Sequence, residues 1–279
     1  MFYLGFDSKN NVERIGKRSQ PVDTRGELIL TGIRTLDQKL GMELSSRRGI
    51  PDGSLVLASY PSDTSIPKLF IQRILLNWAQ DVESNLVFYI HSEKPYNLVK
   101  RSFQAYDWDV TPLEGKSLFF EDMYNLSSAS MTSSLKFGRI EVKRKTYVKK
   151  IIDRMIHVKE DQNKQCFSIF DDLLWMKEDR LDEDSNALIV FLKEVIGSFT
   201  KIGGVHFFLL PQNILEPVAE RILMNAAQGI FYFSRRTVGS RLKDNFAITK
   251  LMGISYISET LEVTPSESEG FKIESTAKI

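Results

Sequence analysis

Residues 58–70 read ASYPSDTSIPKLF, and this stretch with its two flanks sets the architecture. Upstream runs GSLVLA (53–58), a short apolar segment that opens after a glycine and reads as a strand. Downstream runs KLFIQRILLNWA (68–79), long enough and apolar enough for a helix packed on one face. Pro61, Ser62, Asp63 and Pro67 punctuate the turn between them. The order is therefore strand, turn, helix.

The pattern repeats outward. NLVFYIHSE (85–93), KSLFFED (116–122), QCFSIFDD (165–172) and GVHFFLLP (204–211) are buried-type strands. Helical spacing is expected over 95–106, 147–158, 187–200 and 216–227. Apolar strands alternating with helices predict an α/β fold with a mostly parallel central sheet covered on both faces. GIFYFSRR (229–236), DNFAITKL (244–251) and GFKIES (270–275) have no helix between them, so they predict antiparallel strands at one edge. In LTGIRTLDQKLGMEL (30–44), Ile33, Leu36, Leu40 and Leu44 fall at helical spacing. RRGIPDGS (47–54) reads as a turn, and 125–145 as a long polar loop. Residues 1–26 read as an N-terminal arm, and 27–279 as one domain without internal repeats.

The 279 residues carry 42% hydrophobic and 26% charged side chains with net charge +1. That is ample core material, and it gives no global case for nucleic-acid or membrane binding. One cysteine, Cys166, excludes an internal disulfide and a cysteine-based zinc site, and suits a reducing cytoplasm. The segment MFYLGFDSKNN does not read as a signal peptide. No apolar run approaches the ~18 residues that span a bilayer.

TGIRTLD followed by GIPDGSLVL resembles the entry of RecA-superfamily ATPases of the KaiC type, a group common in archaea that includes FlaH- and GvpD-like proteins. FYIHSEKP (88–95) is similar to that family's strand ending in acidic residues. FSIFDDL (167–173) is similar to its Walker B strand, and AAQGIFYFSRR…FAITKLMG (226–253) to its closing antiparallel strands. The resemblance covers nearly the whole chain from residue 30 and implies a RecA-like P-loop NTPase fold.

It also implies what is missing. Tyr60, Asp63 and Ser65 stand where the family has glycines of its phosphate loop. Ile66 stands at the lysine and Pro67 at the magnesium-binding hydroxyl. Glycines let backbone N–H groups curl round phosphate oxygens, and side chains fill that space. Asp63 adds negative charge, Ile66 neutralises nothing, and Pro67 has neither N–H nor hydroxyl. Thr64, Ser65 and the helix start near Pro67 are the remaining anion-attracting groups. Lys68 lies two steps beyond Ile66, a rotation of ~200° on a helix, so it is expected on the opposite face.

By the same resemblance, Glu93 matches one of two acids that activate water, with Ser92 at the other; the plainer reading is a carboxylate capping the next helix. Asp171 matches the Walker B aspartate, and Asp172 a Ser/Thr-type position; the plainer reading is a strand-end pair that caps a helix or meets a Lys or Arg. Arg241, Lys243 and Lys250 match basic residues that reach a neighbouring subunit's phosphates; otherwise they belong to a solvated strand. Lys143, Arg144 and Lys145 form the densest basic patch, a contact for nucleic acid or an acidic protein, or simply a β-ribbon and helix start with a solvated face. His91 and His206 read as packed, hydrogen-bonded histidines, and no metal site is expected.

The resulting expectation is a non-hydrolysing relative of these ATPases, a regulatory or scaffold subunit of a cytoplasmic assembly. Its partners would be protein subunits, the same or different, in a ring-type oligomer, with nucleic acid as a further candidate. No cofactor is expected, and Mg-ATP would bind weakly at best. Two alternatives stay open: a weakly active ATP-binding protein of signal transduction, and a ring subunit of the Elongator type that binds RNA, which TSIPKLF (64–70) resembles.

Overall fold

A computed structural model describes residues 27–40, 48–125, 141–266 and 270–275. The expected N-terminal arm lies outside them. A nine-stranded sheet forms the centre. Its strands are β3 (Ser54–Tyr60), β4 (Asn85–His91), β5 (Leu118–Asp122), β6 (Gln165–Asp171), β7 (Val205–Pro211), β8 (Gly229–Val238), β9 (Arg241–Leu251), β10 (Leu261–Ser266) and β11 (Gly270–Ser275). The spatial order is β11-β10-β9-β8-β3-β7-β6-β4-β5. All pairs from β8 to β5 are parallel, and those from β8 to β11 are antiparallel. This is the expected α/β architecture.

Every residue of β3, β4 and β7 is buried, as a strand covered on both faces requires. Alternation then sorts the side chains. Val56, Ala58 and Tyr60 pack with α2 (Ile66–Ala79), α1 (Arg34–Lys39) and α3 (Tyr96–Gln104). Leu55 and Leu57 pack on the other face with α4 (Glu141–Gln162), α5 (Leu174–Glu178), α6 (Ser185–Ile202) and α7 (Pro217–Ala226).

Several elements depart from the periodicity. The helix expected over 30–44 is only the six-residue α1; Leu40 leaves the helical region and its carbonyl accepts from Gly49 N. Leu44 lies outside the described residues. The TGIRTLD motif is a corner instead. Asp37, buried in α1, accepts from Thr31 N at 2.7 Å, Thr31 Oγ1 at 2.8 Å and Gly32 N at 3.1 Å. Trp78 Nε1 then donates to Leu30 O, which ties the corner to α2. Within the expected turn 47–54, β2 (Ile50–Pro51) pairs with β1 (Leu28–Ile29). The basic stretch is helical from Glu141, so the expected β-ribbon is corrected over 141–150, where backbone hydrogen bonding continues α4. β10 was not expected, because LEVTPS is polar and holds Pro265. Yet Leu261 and Val263 alternate into the core, and Pro265 lies beyond the last residue that pairs with β9.

Candidate functional site

The carboxyl ends of β3, β4 and β6 meet where α2 begins, the place where open α/β sheets present ligand sites. The turn after β3 is packed, not open. Tyr60 is buried, and burial drives its hydroxyl pKa upward although Lys68 opposes this. Thr64 is buried, its amide donates to Pro61 O, and its hydroxyl accepts from Ile66 N at 3.2 Å. Ile66 and Pro67 are buried, with Ile66 in the apolar core. Ser65 takes the position before α2 without capping it through its side chain. Pro61 is half-buried, and Ser62 and Asp63 are exposed. Arg235 on β8 draws Asp63 sideways: its guanidinium donates to Asp63 O, lies 3.4 Å from the Asp63 carboxylate and grips Asp244 with two 2.9 Å bonds.

Lys68 reaches the site. Its Nζ contacts Glu93, sits 2.9 Å from Asp171 Oδ1 and 3.5 Å from Asp172 Oδ2. The expectation that it faces away is corrected. The rotation between Ile66 and Lys68 is real, but Ile66 points into the core. The opposite side of the helix is therefore the one that faces the strand ends.

The three carboxylates offer oxygens that all lie within 4.8 Å of one another, and the ammonium lies among them. Burial works against the charged Lys68, but Asp171, Tyr60, Asp172 and Glu93 more than offset it, and its pKa is raised. Burial pushes Asp172 up to about 6, with Lys68 pulling the other way. Asp172 Oδ1 also accepts from Leu174 N at 2.8 Å, the first residue of α5. Asp171 is held on its second oxygen by the Tyr89 hydroxyl, which donates at 2.5 Å. Gln72 Nε2 in turn donates to Tyr89 at 2.9 Å and lies 3.1 Å from Ser102 Oγ, so α2, β4 and α3 share one polar network. Ser92 ties β4 to β6 by donating from N to Asp171 O and from Oγ to Asp172 O. Glu93 does not cap α3, whose preceding residue, Pro95, has no side-chain cap.

The other basic candidates scatter. Lys243 pairs with Glu262 at 2.7 Å, and Lys250 donates to Met224 O and Asn225 O at the end of α7. Arg241 is exposed at the start of β9. Lys143, Arg144 and Lys145 lie on the first turns of α4. His91 Nδ1 meets Lys94 O, while His206 joins Ser168 and Gly203 O, both at 2.8 Å. Neither histidine is in the carboxylate cluster.

Sequence reasoning missed Tyr89, Gln72 and Arg235. The first two sit inside apolar runs that give no polar signal, whereas the Arg-Arg pair at 235–236 was visible. In this arrangement Ile66 N is already engaged, Pro67 N carries no hydrogen, and Asp171 and Asp172 hold Lys68.

No protein-family model and no curated protein matches the chain. Among solved structures, a KaiC-like protein from the hyperthermophilic archaeon Pyrococcus horikoshii matches with TM-score 0.60 over 89% of this chain and 98% of that one, at 12% identity. That likeness is one of fold: a RecA-like α/β sheet flanked by helices.

Proposed function

We propose that this chain is a non-hydrolysing protein of RecA/KaiC-like fold that works as a scaffold or regulatory subunit, with its nucleotide site closed by its own lysine. The carrying observation is the Lys68 ammonium among Glu93, Asp171 and Asp172. A cation is what such a carboxylate cluster needs, and here the polypeptide supplies it. The burial of Ile66 and Pro67 supports the same reading, since neither offers a free N–H or a charge to a terminal phosphate. Assembly with other subunits belongs to this proposal. Val238 and Leu242, exposed at the end of the β8–β9 hairpin, are apolar surface that such a contact would cover.

Turnover of Mg-ATP by the purified protein is the direct test. The expected rate is background, identical in Asp171→Ala. A rate that Asp171→Ala abolishes would refute the proposal.

A second reading, favoured by the closeness of the three carboxylates, is weak magnesium-dependent ATP binding with Lys68 displaced. A calorimetric titration separates the two. Saturable heat at micromolar Mg-ATP supports the second, and its absence supports the first.

A further inference from the structure

At the antiparallel end of the sheet, β11 has a strand partner on one side only among the described residues. Beside it lies a cavity of about 450 Å³ lined by Arg34 from α1, Arg73 from α2, and Phe271, Lys272, Ile273 and Glu274 from β11. Three cations thus converge on a cleft with one acid, and none of the three forms an ion pair among the described residues.

The cleft is built, not incidental. Gly270, at φ +83°, leaves room for Trp108; a Cβ there would stand 2.8 Å from the indole ring. Trp108 in turn carries the Arg73 guanidinium 5.3 Å above its ring centre. Phe271 stacks on Phe70 at 4.9 Å, which fixes the strand against α2.

We propose that this cleft receives an extended acidic peptide segment of a partner protein, added as a further strand along β11. Edge strands offer unpaired backbone groups, and strand addition uses them. The cations select the partner by charge. A compact phosphate is the less suitable guest, because cradling it calls for backbone amides. The amides of Thr31 and Gly32 already donate to Asp37, and that of Ile33 to Thr31 Oγ1. What remains is long, separated cations, matched to carboxylates spaced along a chain. Its lining shares no residue with the Lys68 cluster, though Arg73 and Lys68 are both on α2, and it does not depend on the reading of that site.

The test is fluorescence anisotropy of a labelled ten-residue peptide alternating Glu and Val, titrated with the full chain. Saturable binding is expected, weakened by salt. Arg34→Glu with Lys272→Glu, both at exposed positions, should weaken it about tenfold or more, with circular dichroism and melting unchanged. Arg73→Gln gives a second, milder loss. A peptide with Pro at its centre should bind worse than the parent, since strand pairing needs its N–H groups. No saturable binding of the parent peptide, or binding that ignores the charge reversal, overturns the proposal. So does tighter binding of inorganic polyphosphate or a short RNA than of the peptide.

Discussion

Replacing Lys68 by Met removes the cation that the three clustered carboxylates share, while keeping the apolar stem. Two unit charges 4 Å apart are worth about 4 kcal/mol at an effective dielectric of ~20, and desolvation offsets much of that. Breaking a buried pair from one side costs about 3–5 kcal/mol, because the partner is left charged and unpaired. Here the figure must be discounted for solvent, since the Lys68 side chain is 16% exposed and that of Glu93 38%. The expected loss at pH 8 is therefore about 2–3 kcal/mol. Proton uptake should repair part of it. Asp172 titrates at about 6 in the folded protein against an ordinary 3.8. A raised carboxyl contributes stability that is complete below its unfolded value and is lost as pH rises through its folded value. Lys68 is what pulls Asp172 down, so its removal moves that loss to higher pH. The gap between variant and wild type should narrow as pH falls from 8 to 5. Urea unfolding of both proteins at the two pH values measures this. A loss under 1 kcal/mol at pH 8, or a gap of equal size at pH 5, would refute the ion-pair account.

Tyr89→Phe removes the donor to Asp171 and one of the two acceptors of Gln72 Nε2, leaving Ser102 Oγ; a loss of about 1–3 kcal/mol by thermal or urea unfolding is expected. His206 is fully buried, and burial lowers its pKa to about 3 from an ordinary 6.5. The unfolded chain therefore takes up a proton first, and stability should fall from pH 6.5 toward 3 at up to about 1.4 kcal/mol per unit. A folded His206→Asn variant should show a shallower acid-side slope, and an unchanged slope would count against the assignment. At Gly204 an added Cβ would lie 1.7 Å from Cys166 O, with φ at +75°, so Gly204→Ala should yield little soluble folded protein; recovery at wild-type level with an unshifted melting point would contradict that contact.

The fold was legible because its central strands are uninterrupted apolar runs. NLVFYIH and VHFFLLP could hardly be anything but buried strands. Where polar residues dilute the run, as in LEVTPS, alternation over six positions was too short a signal, and the strand emerged only from its pairing with β9 and β11. The carboxylates Glu93, Asp171 and Asp172 were visible as strand-end residues. Their shared cation was not, because the linear alignment placed Ile66 in the lysine's role and so set the origin of the helical wheel on the wrong side. Only tertiary packing of Ile66 in the core shows which face of α2 looks outward. Tyr89 and Gln72 illustrate the same limit: a hydroxyl and an amide within apolar segments acquire meaning when three elements bring them together.

A counterion that is part of the backbone's own cargo behaves unlike a dissolved one. Chelators cannot strip Lys68, and dialysis cannot dilute it. The ends of β4 and β6 thus carry their counterion from the moment the chain folds, and the proton on Asp172 is what alters the charge there.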